Sequence, residues 1–94
     1  MILPDDKSFA LDFSYENGRY NATCIAQVVK INEAYLFSGT YQVKLHNFSS
    51  LHATFLYTYN ELTMQWNGVL IDSNEHLQPG LTETIAEEIA DRYK

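Results

Sequence analysis

Apolar residues return at every second position over most of the chain, and at every third or fourth only near its end. Phe9, Leu11, Phe13 and Tyr15 alternate with Ala10, Asp12, Ser14 and Glu16. This is the period of a strand with one buried face. Asn17-Gly18 follows, and both residues tolerate the positive φ that a type I′ hairpin turn requires. Residues 19–31 are therefore predicted to fold back antiparallel. In that run Tyr20, Ala22, Cys24, Ala26 and Val28 share one parity, while Ile25, Val29 and Ile31 share the other. Apolar residues on both faces predict a central strand or a bulge.

Asn32-Glu33 marks the next turn, and residues 34–45 read as a third strand with Tyr35, Phe37, Tyr41, Val43 and Leu45 on one face. Gly39 falls on that face, as a bulge or a close backbone approach. Residues 46–50 are polar and read as a loop. Leu51, Ala53, Phe55, Tyr57 and Tyr59 then alternate with His52, Thr54, Leu56 and Thr58 in a fourth strand. After Asn60-Glu61, the alternation of Leu62, Met64 and Trp66 predicts a fifth strand. Asn67-Gly68 gives a second hairpin signal before a short sixth strand, Val69-Leu70-Ile71.

Residues 72–80 are polar, contain Pro79 and Gly80, and read as a connection. Then the period changes. Leu81, Ile85, Ile89 and Tyr93 recur every four residues, widened by Ala86 and Ala90, which predicts a helix over 81–93. Thr82 or Thr84 is the expected N-cap, and Thr84 with Glu87 has capping-box spacing. Glu83, Glu87 and Glu88 come early and Arg92 and Lys94 late, an order that suits the helix dipole.

The fold class expected is α+β: an antiparallel β-meander of five to six strands, strongly curled, with one C-terminal amphipathic helix on its apolar face. A helix of three turns is about 20 Å long. It cannot cover a flat sheet whose strands lie nearly 5 Å apart, so either the sheet curls or aromatic surface is left for a partner.

Length and charge narrow this further. At 94 residues the default is a single domain over 1–94 with one core, residues 1–7 forming a flexible N-terminal segment. The net charge of −6 disfavours phosphate backbones and anionic membranes, so neither nucleic acid nor membrane is an expected partner. No apolar run is long enough for a transmembrane helix. The first seven residues lack the basic and apolar regions of a secretory signal. Cys24 is the only cysteine, which excludes an internal disulfide and suits a reducing, cytoplasmic compartment.

Candidate chemistry is sparse. The nucleotide-binding glycine patterns, H-E-x-x-H, G-x-S-x-G and C-x-x-C are all missing. His46, His52 and His76 have no ligand spacing among themselves. A metal site would need convergence with Cys24, Asp72 or Glu75, and exposed histidines are the simpler expectation. Cys24 as a nucleophile is weighed against a small core residue, and its Ala- and Val-rich strand favours the core. Asp12 and Glu16 read as solvated positions. Asp72-Ser73-Asn74-Glu75 reads as a turn before a cation loop. The sequons Asn21-Ala22-Thr23 and Asn47-Phe48-Ser49 read as chance matches. No cofactor is expected.

Two sets of residues carry the functional expectation. Tyr35, Tyr41, Tyr57, Tyr59 and Trp66 have interface chemistry, although their parity also suits a core. Glu83, Glu87, Glu88 and Asp91 give the helix an acidic face for a basic partner, although a solvated helix face is the simpler and favoured reading. The leading expectation is a small non-enzymatic protein-interaction domain, self-associating as a homodimer or binding a protein partner. Behind it stand a small acidic inhibitor or immunity-type protein and a small-ligand module, with an enzyme last.

Overall fold

The computed structural model describes residues 8–47 and 50–92. Residues 1–7, with the predicted flexible segment, lie outside them, as do Tyr93 and Lys94 of the predicted helix end. Strands β1 (Phe9–Tyr15), β2 (Gly18–Ile31), β3 (Ala34–Asn47), β4 (His52–Asn60) and β5 (Gln65–Ser73) precede helix α1 (Leu81–Asp91). The sheet order is β1-β2-β3-β4-β5, every pair antiparallel. The predicted α+β meander with a C-terminal helix is what forms, with five strands.

Curling of the sheet resolves the length problem. The helix is 11 residues long, or about 16 Å. It packs on β5 and also reaches β1, the two outer strands of the sheet. Just before the helix, the Tyr15 hydroxyl at the end of β1 donates to the Pro79 carbonyl. Just after it, the Arg92 guanidinium sits 4.2 Å from the centre of the Phe9 ring at the start of β1. The helix thus runs antiparallel to β1 across the open side of a curled, unclosed sheet. Leu81, Ile85 and Ile89 are its buried stripe, and they meet Cys24, Tyr41, Val43, Leu45, Phe55 and Tyr57, all with no exposed surface.

The buried Tyr57 hydroxyl requires a partner. It donates to the Thr82 carbonyl at 2.8 Å and so ties β4 to the first turn of α1. A Cβ on Gly68 would lie 2.3 Å from Cε2 of the Tyr57 ring. Gly68 therefore lets β5 pass the aromatic face of its β4 neighbour.

That close approach corrects the second hairpin signal. Asn67-Gly68 does not turn the chain but lies inside β5, and Val69-Leu70-Ile71 continues the same strand. The turn comes earlier, where Asn60 Oδ1 accepts from the Leu62 and Thr63 amides and Met64 adopts φ 57°. Leu62 and Met64 belong to that turn and are exposed. The first hairpin shifts by one residue: Tyr15 pairs with Gly18, so Glu16-Asn17 is the loop, with Glu16 at φ 54°. Asn32 and Glu33, at φ 50° and 67°, form the turn with two left-handed residues. Both alternatives for residues 19–31 hold, since β2 is central and a register shift falls between Ala26 and Val28. Gly39 lies opposite that shift at φ 85°.

The helix cap also differs from expectation. Gly80 is the N-cap, left-handed at φ 85° and without a side-chain cap hydrogen bond. Thr84 sits inside the first turn, its hydroxyl donating to the Gly80 carbonyl at 3.0 Å. The helix ends at Asp91, so Arg92 is the C-cap and the last turn contains no basic residue.

Candidate functional site

Two surfaces stand out. The first is a projecting arm. Pairing of β1 with β2 ends at Phe9↔Cys24, and pairing of β3 with β4 ends at Thr40↔Thr58. Beyond those points, among the described residues, β2 and β3 pair only with each other, through Val28↔Phe37, Val29↔Leu36, Lys30↔Tyr35 and Ile31↔Ala34. The arm helps extend the molecule to 45 Å along one axis against 24 and 19 Å on the others. Phe37 packs at 4.8 Å on Tyr41 of the core, so Val28, Lys30, Tyr35 and Phe37 continue the concave face. Lys30 Nζ lies 5.8 Å from the Tyr35 ring centre, consistent with that parity. Val29, Ile31, Ala34 and Leu36 continue the outer face.

Both faces of the arm are apolar and open. Val28, Val29, Ile31 and Tyr35 are between 44% and 63% exposed, and Leu36 39%. Among the described residues this two-stranded ribbon has no third strand or covering layer, and such a ribbon is marginal on its own in water, so burial here has a stabilising effect still to give. Residues 25–40 contain one base, Lys30, and one acid, Glu33. The arm is locally neutral in a chain of net charge −6.

The second surface is a groove of about 470 Å³ between α1 and the start of β5. Met64 and Trp66 line one side, Ala86 and Ala90 the other, and Glu83 and Glu87 stand along the helix beside them. Trp66 is held by packing against Tyr41 at 5.4 Å and Tyr59 at 5.2 Å. Glu83 and Glu87 are exposed and make no ion pair among the described residues. Their i, i+4 spacing places two like charges on one helix face, an arrangement that weakens a helix by about 0.2–0.5 kcal/mol.

The predicted interface residues divide accordingly. Tyr35 is on the arm, Glu83 and Glu87 stand exposed at the groove, Trp66 lines its floor as a buried core residue, and Tyr59 is half-buried behind Trp66. Tyr41 and Tyr57 lie wholly in the core. Glu88 is half-buried and Asp91 exposed, and neither lines the groove. Parity and spacing alone do not mark Val28, Val29, Leu36 or Phe37 of the arm, or Met64, Ala86 and Ala90 of the groove, as surface sites. The apolar residues on both faces of β2 were the available signal for the arm. The groove had no local signal, because it depends on where the helix crosses β5.

The remaining candidates have ordinary surroundings. Burial pushes the Cys24 thiol up to about 12, with Arg92 pulling back weakly, the opposite of nucleophile activation. Burial likewise raises the Tyr57 phenol far above its usual range, with Glu83 and Cys24 adding to the effect. His46 and His52 face each other across β3 and β4, ring centres 5.9 Å apart. Among the described residues, no group of three or more His, Cys, Asp or Glu side chains is placed to hold a metal. Asp12 pairs with Arg19 at 3.2 Å. In the Asp72-Ser73-Asn74-Glu75 segment, Asn74 Oδ1 accepts from the His52 amide at 2.8 Å and its amide donates to the Ser50 carbonyl at 2.7 Å. The Glu75 carboxylate accepts from the Ser50 hydroxyl at 2.7 Å. These are the bonds of a pinned turn. Asn21 is exposed on β2, and the second sequon extends into residues 48–49, outside the described set.

No helix among the described residues is long and apolar enough to cross a membrane. No family model matches this chain, and no curated protein or solved structure is significantly similar to it.

Proposed function

We propose that this chain is a non-enzymatic protein-interaction domain that self-associates through the β2–β3 arm. The observation that supports the reading is the arm itself: among the described residues, a two-stranded ribbon, apolar on both faces, extending past its neighbouring strands. A second copy suits it as occupant. The arm is electrically neutral, so two acidic molecules meet there with less repulsion than elsewhere on their surfaces. Its outward backbone groups are also available for antiparallel strand addition, with apolar side chains alternating above and below.

The available energy is modest but sufficient. Fully burying one aliphatic side chain is worth about 1.5–3 kcal/mol, so a half-exposed one has about 1 kcal/mol left to gain. Five such residues on each of two copies offer about 10 kcal/mol, against an association cost of 4 kcal/mol or more. A micromolar to millimolar dimer is the expected range.

Sedimentation equilibrium tests this directly. The wild-type chain should show a concentration-dependent dimer. Val29→Thr with Leu36→Thr keeps strand propensity, removes apolar contact twice per dimer, and should weaken association by more than about a hundredfold. A wild-type chain that stays monomeric at about 1 mM, where even a 4 kcal/mol association would register, overturns the proposal.

A second reading, a small acidic inhibitor of a basic partner, is favoured by the exposed Glu83 and Glu87 beside the groove.

A further inference from the structure

We infer that the groove between α1 and the start of β5 is a binding site, separate from the arm, for a basic segment of a protein partner. The groove supplies what a lysine or arginine side chain needs at both ends. Its apolar surface, from Met64, Trp66, Ala86 and Ala90, matches the aliphatic stem, which such residues lay along apolar surface while keeping the charge in water. Trp66 is 7% exposed and forms the floor of the groove, so the stem packs over its edge while the charge reaches the carboxylates above.

Glu83 and Glu87 supply the opposite charge one helical turn apart, so two basic residues of an extended or helical segment can each meet a carboxylate. The groove is shaped before the ligand arrives, because Trp66 is wedged against Tyr41 and Tyr59. Met64, 75% exposed in its left-handed turn conformation, stands at the groove. As an unbranched and adaptable side chain it suits a surface that packs against varied stems. Anionic ligands are excluded by the same two carboxylates. The helix contributes four acids and no base over Leu81–Asp91, so the field around the groove has one sign.

The test uses the full chain and a fluorescein-labelled nonapeptide of alternating lysine and leucine, with the corresponding glutamate–leucine peptide as control. Binding is followed by anisotropy, and by the emission of Trp66, the chain's single tryptophan. The lysine peptide should bind at about 10–100 µM in low salt, weaken as salt is raised, and change the Trp66 emission. The glutamate peptide should not bind.

Glu83→Gln with Glu87→Gln removes two exposed charges and should weaken binding at least tenfold. Asp72→Asn with Glu75→Gln removes the same charge away from the groove and should change it less than twofold. Equal weakening by both pairs would mean attraction to overall charge alone and would overturn the site. So would binding that leaves the Trp66 emission unchanged, or no binding at 1 mM peptide. None of these outcomes depends on the arm, since Val29→Thr/Leu36→Thr protein should bind the peptide as wild type does.

Discussion

Replacing Gly68 with alanine should destabilise the fold by about 2 kcal/mol, and the reason is a single ring. An added Cβ would stand 2.3, 2.6 and 2.9 Å from Cε2, Cζ and Cδ2 of Tyr57, where carbon atoms prefer 3.5–4.0 Å. Tyr57 has no exposed surface into which to retreat, it packs on Phe55 at 5.7 Å, and its hydroxyl is committed to the Thr82 carbonyl. Overpacking of this kind costs about 1–3 kcal/mol, and losing the Tyr57–Thr82 bond adds about 1 kcal/mol. Against this, Gly68 has a backbone conformation open to L-residues, so alanine recovers up to about 1 kcal/mol from the unfolded chain. Urea unfolding followed by Trp66 fluorescence would read the net effect as a midpoint lowered by about 1 M, given slopes of about 1–3 kcal/mol per molar for small proteins. A double-mutant cycle identifies the cause. In a Tyr57→Leu background the same Gly68→Ala change should cost little, because the ring it strikes is gone. An unchanged or raised midpoint in the single variant, or an equal loss in both backgrounds, would refute the reasoning.

Cys24 should resist iodoacetamide in the native protein and react once the chain is unfolded in urea, because the thiol is buried and held protonated up to about 12; rapid native labelling read by mass spectrometry would contradict this. Stability should also fall on the alkaline side. The folded state keeps protons that the unfolded chain releases from Cys24 above its ordinary 9.0 and from Tyr57 above its ordinary 10.0. Their contribution is complete below pH 9 and lost as pH rises towards the folded values, at about 1.4 kcal/mol per pH unit for each group. Cys24→Ala should flatten the decline between pH 9 and 10 in urea titrations, where Cys24 acts before Tyr57; an unchanged slope there would rule the thiol out.

Period two was enough to place β1 and β4, whose core-facing residues Phe9, Phe13, Ala53, Phe55 and Tyr57 alternate without interruption and whose opposite faces are polar or open. It was enough too for the helix stripe of Leu81, Ile85 and Ile89. What failed was inference from short motifs whose meaning is tertiary. Asn67-Gly68 has the chemistry of a turn, yet the glycine is there because Tyr57 needs the space. Thr84 and Glu87 have the spacing of a capping box, yet the helix starts at Leu81 as its period predicts and the N-cap is Gly80 in a left-handed conformation, two to four residues before the expected threonines. The surfaces follow the same rule. Tyr35 and the acidic helix face could be read because exposure follows from parity along one element. The convergence of Trp66 with Glu83 and Glu87 could not, because it is set by the path of α1 beside β5.

The placement of α1 has a consequence for the order of folding. All five strands pair with sequence neighbours, so the sheet grows by successive hairpins of low loop-closure cost. The link from Tyr15 to Pro79 instead spans 64 positions and cannot form until residue 79 has been made. During synthesis the sheet is complete before the segment that covers it exists. For that interval the ring-rich concave side is open to water and to neighbouring chains, and such transient exposure is where misassociation begins. The rate at which α1 emerges and docks, more than the pairing of any strand, then governs how safely this molecule reaches its native state.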